Sequence, residues 1–364
     1  MKTGKMAVMT GVNQPFQVEN YPILPATDGS VRLKLLASGV CGTDLHIHEG
    51  RLGVNLPACV GHEFVGVIDD ITEQDSLQSG LVKGDNAIVC IAVPCGKCLL
   101  CKTGDDANCV NMGVTNGKPP AEPPHFHGGY GEYTFAPPEN LIPIPRGLDP
   151  KMVAVFACAG PTTLHAFNLA AKAGGNLEYA KVAVVQGLGP VGLFAVMLLS
   201  ALGVPNVVAV TGRENEKRAA AARSLGATHV VSLAKEGEKG IGDLVASLSG
   251  GLGADLVFEA SGNPAAVPVG IHLLRNRGMY LIPGQYSDSG TVSILPQLIT
   301  FKALRILGSS QYSIADVKKY LSVLENTPQM HSKILDLASF YPVEEINAAL
   351  EAAAKGENIK TLLA

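Results

Sequence analysis

The stretch KVAVVQGLGPVGLFAVMLLSALG, residues 181–203, decides the fold of this chain. It begins with a short apolar run, which is typical of a strand buried on both faces of a sheet. The pattern G-x-G-x-x-G follows at Gly187, Gly189 and Gly192, and an apolar segment of helical length, 190–203, follows the glycines. A strand, this glycine loop and a helix in that order predict a dinucleotide-binding site.

Apolar strand-like segments continue to alternate with helical ones after this stretch. The predicted segments are a strand NVVAVTG (206–212), a helix ENEKRAAAARSLG (214–226), and further strands HVVSL (229–233), ADLVFEASG (254–262), GMYLIPG (278–284) and ALRILGS (303–309). Continuous apolar strands alternating with helices predict a parallel, doubly wound sheet. We therefore expect an α/β protein with a nucleotide-binding domain at 157–310.

Residues 1–156 have a different sequence pattern. Short β segments separated by Pro- and Gly-rich turns are predicted at VRLKLLASGV (31–40), HEFVGVIDDI (62–71), KGDNAIVCIAV (83–93) and GGYGEYTFAP (128–137). This mixture is typical of an all-β or α+β domain. The segment 311–364, which is helical at 313–326 and 343–356, is expected to return to this first domain.

Composition excludes several classes of function. The chain has 364 residues, 47% hydrophobic and 16% charged, with a formal net charge of −4, so it offers no basic surface for nucleic acid or an anionic membrane. The N-terminus shows no signal peptide, and the longest apolar run, 191–204, is too short for a membrane span of about 20 residues. We expect a cytoplasmic protein, in which clustered cysteines favour metal over disulfides.

Each glycine of this loop is expected to have its own role in binding the dinucleotide. Gly187 permits the tight turn, Gly189 lets the backbone approach the pyrophosphate, and Gly192 lets helix and strand pack closely. Pro190 and Val191 begin the helix, whose N-terminal N–H groups and positive dipole end face the phosphates.

The end of the second strand favours NADP over NAD. NAD sites usually carry Asp or Glu there, but this chain has Thr211, Gly212 and Arg213. An arginine just past the strand can clamp a 2′-phosphate, with Arg218 assisting from the next helix. The alternative is a solvated Arg213, with Glu214 or Asn215 taking the ribose of NAD.

Two groups of residues have metal-binding character. The loop VPCGKCLLCKTGDDANC (93–109) holds Cys95, Cys98, Cys101 and Cys109 in the spacing C-x2-C-x2-C-x7-C. Cys41, His62 and Cys158 would form a second set, in which a Cys/His/Cys triad leaves the fourth zinc position open, as catalytic sites do. Taken singly, each of these three is as well explained by a core role.

The motifs taken together resemble one family. CGTDLHIHEG, GHEFVGVI, the cysteine loop, GGYGEY and GLGPVG occur in the order found in the zinc-dependent medium-chain alcohol dehydrogenases. The resemblance covers nearly the whole chain and is nearest to the bacterial secondary-alcohol, polyol and threonine dehydrogenase branches. It implies a GroES-like catalytic domain at 1–156, a Rossmann domain at 157–310, and hydride transfer between an alcohol and NAD(P).

The resemblance also implies roles for individual residues. Cys41, His62 and Cys158 match the catalytic-zinc ligands, and Glu63 matches an acid that approaches that metal. Asp44 matches the carboxylate that orients the histidine ligand, and Thr43 and His46 match the proton relay. The four loop cysteines match the structural zinc site, which makes two zinc ions per chain. A homodimer or homotetramer is implied, through sheet edges near 278–290.

Other interpretations stay open from the sequence. A zinc-free quinone or enoyl reductase shares the fold but lacks both zinc motifs, and a nucleic-acid-binding zinc ribbon would need a basic surface. Several Cys and His residues are interpreted as core, surface or cleft-lining: Cys59, Cys90, His48, His125, His127 and His165.

Overall fold

The computed structural model describes residues 2–175, 177–284, 286–287 and 289–364. Gln285 and Asp288, which belong to the segment expected at an oligomer interface, lie outside the described residues. The chain forms two compact units, Met1–Pro161 with Tyr312–Ala364, and Thr162–Gln311. The expected domain boundaries were 156/157 and 310/311.

Short strands predominate in the first part of the chain, and strands alternate with longer helices after it. The strands are β1 Thr3–Met9, β2 Gln17–Pro22, β3 Val31–Val40, β4 Ala58–Cys59, β5 Phe64–Asp70, β6 Asn86–Val89, β7 Ala92–Val93, β8 Gly113–Val114, β9 Tyr133–Ala136, β10 Leu141–Pro143, β11 Val182–Gln186, β12 Asn206–Thr211, β13 His229–Ser232, β14 Ala254–Glu259, β15 Leu274–Ile282, β16 Arg305–Gly308, β17 Ala338–Tyr341 and β18 Lys360–Leu363. The α-helices are α1 Gly42–His48, α2 Glu73–Ser79, α3 Leu99–Lys102, α4 Pro150–Val155, α5 Ala159–Lys172, α6 Pro190–Ala201, α7 Glu216–Ser224, α8 Leu233–Ser249, α9 Ala266–Leu273, α10 Pro296–Phe301, α11 Ile314–Glu325, α12 His331–Leu335 and α13 Ile346–Lys355. Short 3₁₀ turns lie at Asp106–Asn108, Pro138–Asn140, Leu177–Tyr179, Pro328–Met330 and Val343–Glu345.

The second unit is built on a six-stranded parallel sheet. Its strand order is β13-β12-β11-β14-β15-β16, which is the 3-2-1-4-5-6 order of a dinucleotide-binding fold. All five residues of β11 are buried because helices cover both faces of the sheet. The predicted doubly wound fold is confirmed.

The first unit is mostly β. Its main sheet runs β10-β6-β5-β3-β18-β17, with β9 also paired to β3, and two smaller sheets are β2-β1-β4 and β7-β8. The C-terminal segment belongs to this unit because β18 lies between β3 and β17. Ile346 and Leu350 of α13 pack in one core with Ala7 and Val60 from the start of the chain.

Two of the boundaries that differ from the predictions have a clear physical cause. The segment 83–93, expected as one strand, is divided into β6 and β7, because the Cys90 carbonyl and N–H turn to Asn140 rather than to a strand partner. β15 begins at Leu274, four residues before the predicted start, since its first residues include charged ones that interrupt the apolar pattern. Among the described residues, no helix combines the length and apolarity that crossing a membrane requires.

Candidate active site

The N-terminus of α1 organises the first group of candidate ligands. Cys41 is the N-cap residue, and its backbone N–H donates to Asp44 Oδ2 at 2.9 Å. The other oxygen of the same carboxylate, Oδ1, lies 3.1 Å from His62 Nδ1. Asp44 therefore fixes the cap and the imidazole ring together, which leaves His62 Nε2 as the nitrogen available to a metal.

Four potential ligand residues converge beside this cap. One ligand atom from each of Cys41, His62, Glu63 and Cys158 lies within 4.8 Å of the others. A hydrogen bond with Cys158 lowers the pKa of Cys41 well below its usual value, with His62 adding to the effect against the opposing influence of burial. Two thiols, an imidazole and a carboxyl group in this space form a donor set suited to zinc.

Glu63 has a partner that sequence reasoning missed. Its carboxylate oxygen Oε2 contacts the ammonium of Lys360 in β18, and both side chains are almost fully buried. Burial raises the pKa of Glu63 to about 7, and the Lys360 ammonium opposes that rise. A Cβ at Gly39 would overlap Glu63 Oε2 and lie 2.7 Å from Lys360 Nζ, so glycine in β3 makes room for the pair.

The two candidate relay residues lie on α1. The Thr43 hydroxyl is 3.8 Å from Cys41 Sγ, and His46 follows three residues later on the same side of the helix. His46 Nδ1 is buried and has no hydrogen-bond partner in the described part of the chain. Burial lowers the pKa of His46, so its ring is neutral at pH 7 and can accept a proton.

The four loop cysteines form a second cluster at α3. One sulfur from each of Cys95, Cys98, Cys101 and Cys109 lies within 4.8 Å of the others. Cys98 Sγ is 3.5 Å from Cys101 Sγ and 3.9 Å from Cys109 Sγ. Zn–S bonds of about 2.3 Å in a tetrahedron give S–S separations of about 3.8 Å, so this spacing fits a bound zinc ion.

The pKa values of the cysteines in this cluster also favour a bound metal ion. Backbone N–H groups of Lys97 and Cys98 lower the pKa of Cys95 to about 6. Burial, followed by the neighbouring thiols, raises the pKa of Cys101 to about 12. Four thiolates at this spacing repel one another unless a cation lies among them, which is the chemistry of a closed zinc site.

The glycine loop has the shape that phosphate binding requires. Gly187 has φ +93°, and a Cβ there would lie 2.7 Å from Ser261 N, while a Cβ at Gly192 would overlap Gly187 O. Gly189, the N-cap of α6, has no atom within 4 Å of its Cβ position, which leaves open space over the loop. Pro190 and Val191 form the first turn of α6, whose N–H groups lack intrahelical partners.

The arginines beside the glycine loop occupy different environments. Thr211 Oγ1 donates to Arg213 O at 2.8 Å, and Gly212, between them, has free space around it. The Arg213 side chain is exposed. Arg218 Nη1 donates to Leu188 O at 2.7 Å, so its guanidinium lies against the loop itself. Asn215 Oδ1 accepts from Arg218 N as the cap of α7.

The cysteines and histidines interpreted above as core, surface or cleft-lining residues lie outside both clusters. Cys59 and Cys90 are fully buried, His125 Nδ1 hydrogen-bonds Pro120 O at 2.9 Å, and His127 Nε2 hydrogen-bonds Glu122 O at 2.7 Å. His48 Nε2 lies 2.9 Å from Gln14 O. His165 lies in α5, as the sequence indicated.

Known proteins resemble this chain in sequence and in fold. Two family models match, the alcohol dehydrogenase GroES-like domain at residues 27–146 and the zinc-binding dehydrogenase at residues 190–326. The sorbitol dehydrogenase of Halalkalibacterium halodurans is 31% identical over 96% of this chain and 95% of its own, and the L-threonine 3-dehydrogenase of Bacillus subtilis is 29% identical over 100% and 99%.

A solved alcohol dehydrogenase from Thermotoga maritima matches with a TM-score of 0.90 and 27% identity, covering 100% of this chain and 99% of the other. The sequence matches and the structural match both extend over nearly the full length of the chains. The chain therefore belongs to the zinc-dependent alcohol dehydrogenase family, whose members transfer a hydride between an alcohol and NAD(P).

Proposed function

We propose that this protein oxidises an alcohol with NADP at a catalytic zinc ion held by Cys41, His62 and Cys158, and that a second zinc ion is held by the four loop cysteines. The observation that carries the proposal is the convergence of two thiols, an imidazole and a carboxyl group at the N-terminus of α1. When bound, the catalytic metal supplies Lewis-acid polarisation of the substrate oxygen.

The chain itself supplies orientation and charge at this centre. Asp44 holds the His62 ring by its Nδ1 and so directs Nε2 toward the metal position. The Lys360 ammonium forms an ion pair with Glu63, so the Glu63 carboxylate has a partner other than the metal. Residues that hold a metal ligand in this way commonly change metal affinity or activity about 10- to 100-fold when they are removed.

Thr43 and His46 are proposed to move the substrate proton. The Thr43 hydroxyl can both accept and donate a hydrogen bond, and the neutral His46 ring can accept a proton at its unpartnered Nδ1. General-base assistance of this kind is worth about 10²- to 10⁴-fold in rate. The reverse transfer would serve carbonyl reduction.

The nucleotide is proposed to bind at Gly187, Gly189 and Gly192, with Arg213 holding the 2′-phosphate of NADP. Arg213 is exposed and forms no ion pair in the described part of the chain, so its guanidinium is free for a phosphate. Arg218 serves a different purpose, because its guanidinium is bound to the carbonyl of Leu188 and holds the shape of the loop.

The test combines zinc analysis with a matched turnover screen. Purified protein is assayed with NADP and with NAD against primary, secondary and polyol alcohols, and its zinc content is measured. We expect two zinc ions per chain, alcohol-dependent reduction of nucleotide and a higher kcat/KM with NADP.

The Cys41→Ser variant separates the catalytic zinc from the loop zinc. It should retain one zinc ion per chain and lose turnover, and the matched variant Cys59→Ala, at a buried cysteine outside both clusters, should retain two. Turnover near the wild-type rate in Cys41→Ser would remove that residue from the catalytic centre. We also propose a cytoplasmic location and a homo-oligomeric state, for which the reduced thiol clusters and the family resemblance are the respective grounds.

A further inference from the structure

A cationic cavity lies at the opposite end of the parallel sheet from the glycine loop. It has a volume of about 250 Å³, and among the described lining residues are Gly174, Tyr179, Asp255, Arg275, Arg277 and Arg305. The Asp and Arg residues lie near the ends of β14, β15 and β16 where the strands begin, and Gly174 and Tyr179 lie before the start of β11, whereas Gly187 follows the end of β11. Gly187 lies seven positions after the lining residue Ala180, which is roughly 20 Å of extended strand.

Among the described residues, only one of the three arginines that line this cavity has a carboxylate partner. Arg275 Nε donates to Asp255 Oδ1 at 2.6 Å, and the other Asp255 oxygen accepts from the backbone N–H groups of Lys181 and Val182. Asp255 is therefore fully engaged. In the described part of the chain neither Arg277 nor Arg305 forms an ion pair, and Arg305 Nη1 donates to Gly174 O at 3.2 Å. The described lining thus has three guanidinium groups and one carboxylate.

A bulge in β15 is what brings two of these arginines to the cavity. The pairing of β14 with β15 moves from Ala254–Leu274 to Leu256–Met279, which is two positions along β14 and five along β15, so β15 has three extra residues between these pairs. Arg277 lies within the bulge at φ +59°, in the left-handed region that non-glycine residues rarely occupy. Its N–H donates to Lys302 O at 2.6 Å, which holds the strained residue in place.

These features together describe a site for an anion. Strain at a non-glycine residue persists where the surrounding structure enforces it, and it is found most often at ligand sites. Guanidinium groups match phosphate oxygens in charge and in the geometry of their N–H groups. A volume of about 250 Å³ is smaller than the roughly 300–1,000 Å³ of pockets for larger ligands, so the occupant is a small molecule.

We propose that this arginine cleft, defined by Arg275, Arg277 and Arg305, binds a small phosphate-bearing metabolite, and that it is a second ligand site separate from the dinucleotide site. The inference does not depend on the proposed catalytic residues, because every residue that carries it lies in the second unit and away from the glycine loop.

The test is calorimetric titration of the full-length enzyme with inorganic phosphate and, separately, with methyl phosphate, an ester that has no alcohol group for the enzyme to oxidise. Saturating NADP is present throughout, so that the glycine loop and Arg213 are already occupied. We expect binding of one equivalent per chain. Equal affinity for the two probes would mean that the phosphate group alone is recognised, and tighter binding of the ester would mean that the rest of the cavity contributes.

Two variants and one control locate the binding. Arg277→Asn retains a residue type that tolerates positive φ, and Arg305→Gln removes the second unpaired guanidinium. Each should weaken binding about tenfold or more, as expected for the loss of a charged hydrogen bond. Arg146→Gln, which removes one exposed positive charge from the first unit, should leave the affinity unchanged. Circular dichroism and the dissociation constant for NADP report whether each variant is folded.

Three results would overturn the proposal. The first is no binding of either probe to the NADP-saturated wild-type enzyme at millimolar concentration. The second is equal weakening in Arg146→Gln, which would show a response to net charge alone. The third is wild-type affinity in folded Arg277→Asn and Arg305→Gln proteins, which would place the bound anion elsewhere.

Discussion

Arg213 is the residue on which we propose that the choice of nucleotide depends. It lies two residues past the end of β12, where Thr211 holds the place at which a carboxylate would hydrogen-bond the ribose of NAD, and its side chain is exposed. Its neighbour Arg218 is partly buried, and desolvation lowers the pKa of its guanidinium. Of these two described arginines, Arg213 is therefore the one whose positive charge is open to a phosphate at the end of this strand.

We predict that Arg213→Asp reverses the preference from NADP to NAD. The new carboxylate repels a 2′-phosphate and can accept a hydrogen bond from a ribose hydroxyl, so the ratio of kcat/KM for the two nucleotides should shift by about tenfold or more. Steady-state kinetics with both nucleotides measure this ratio. Arg223→Asp, on the outer part of α7, is the matched control and should leave the ratio as it is. An unchanged ratio in Arg213→Asp would show that another residue discriminates.

Lys360 shows what a sequence cannot reveal about single residues. Its partner Glu63 is 297 positions away, and the pair forms only because β18 inserts beside β3. No local spacing in the sequence connects the two residues. By contrast, Asp44 and Cys41 lie within one helical turn, so their motif could be read directly, and the structure places Asp44 against both Cys41 and His62.

We predict that Lys360→Met destabilises the protein by about 3–5 kcal/mol, because it leaves the buried Glu63 carboxylate without a counter-charge. Urea unfolding of the protein freed of zinc measures the change, because a bound catalytic zinc ion would supply Glu63 with another counter-charge. The double variant Lys360→Met with Glu63→Gln should recover part of the loss, since it removes the charge that lacks a partner. Lys355→Met, which breaks the exposed Lys355–Glu351 pair, should leave the midpoint unchanged. Equal effects of the two lysine variants would show that Lys360 and Glu63 are not coupled.

At the scale of elements, sequence patterns predicted those features that depend only on residues close together in the chain. The glycine loop can be identified in the sequence because strand, turn and helix are consecutive in the chain, and β3 begins and ends at the predicted residues. The α13 helix begins at Ile346, three residues after its predicted start, because Val343–Glu345 form a 3₁₀ turn. The bulge of β15 could not be predicted, since it depends on pairing with β14.

The cysteine loop is an element with little core of its own. α3 has four residues, none of them buried, and β7 and β8 have two each. Elements this short cannot stabilise themselves by packing, so we expect a bound metal to hold them together. The loop should therefore be ordered with zinc and open without it.

We predict that Cys98→Ser removes one zinc ion per chain and makes residues 95–114 susceptible to proteolysis. The remaining three thiols cannot complete the tetrahedral site, and the loop loses the cross-link that the metal provides. Zinc analysis and limited proteolysis followed by mass spectrometry measure the two effects. Cys90→Ala, at a buried cysteine near the loop but outside the cluster, should retain both zinc ions and resist cleavage. Full zinc content in Cys98→Ser would exclude the four-cysteine site.

At the scale of the whole molecule, the two units differ in how the chain builds them. The second unit is one continuous segment, Thr162–Gln311, with its own parallel sheet and its own hydrophobic core. The first unit is made from two segments separated by that insertion, and β18 supplies a strand in the middle of its main sheet. A return of the chain to the first domain was expected, but the position of β18 between β3 and β17 depends on long-range pairing that hydrophobic patterns do not specify.

This difference leads to a prediction about truncation. The fragment Thr162–Gln311 should unfold cooperatively and bind dinucleotide, because it retains β11–β16 and the complete glycine loop. The fragment 1–311 should lose zinc at the catalytic centre and expose apolar surface, because β3 loses its neighbour β18, Glu63 loses Lys360, and the core around Ala7 loses Ile346 and Leu350. Calorimetric binding of NADP and thermal unfolding followed by circular dichroism distinguish the two fragments. If 1–311 retained two zinc ions and a cooperative transition for the first unit, the C-terminal segment would be dispensable for folding; if Thr162–Gln311 failed to bind nucleotide, the second unit would depend on the first for its structure.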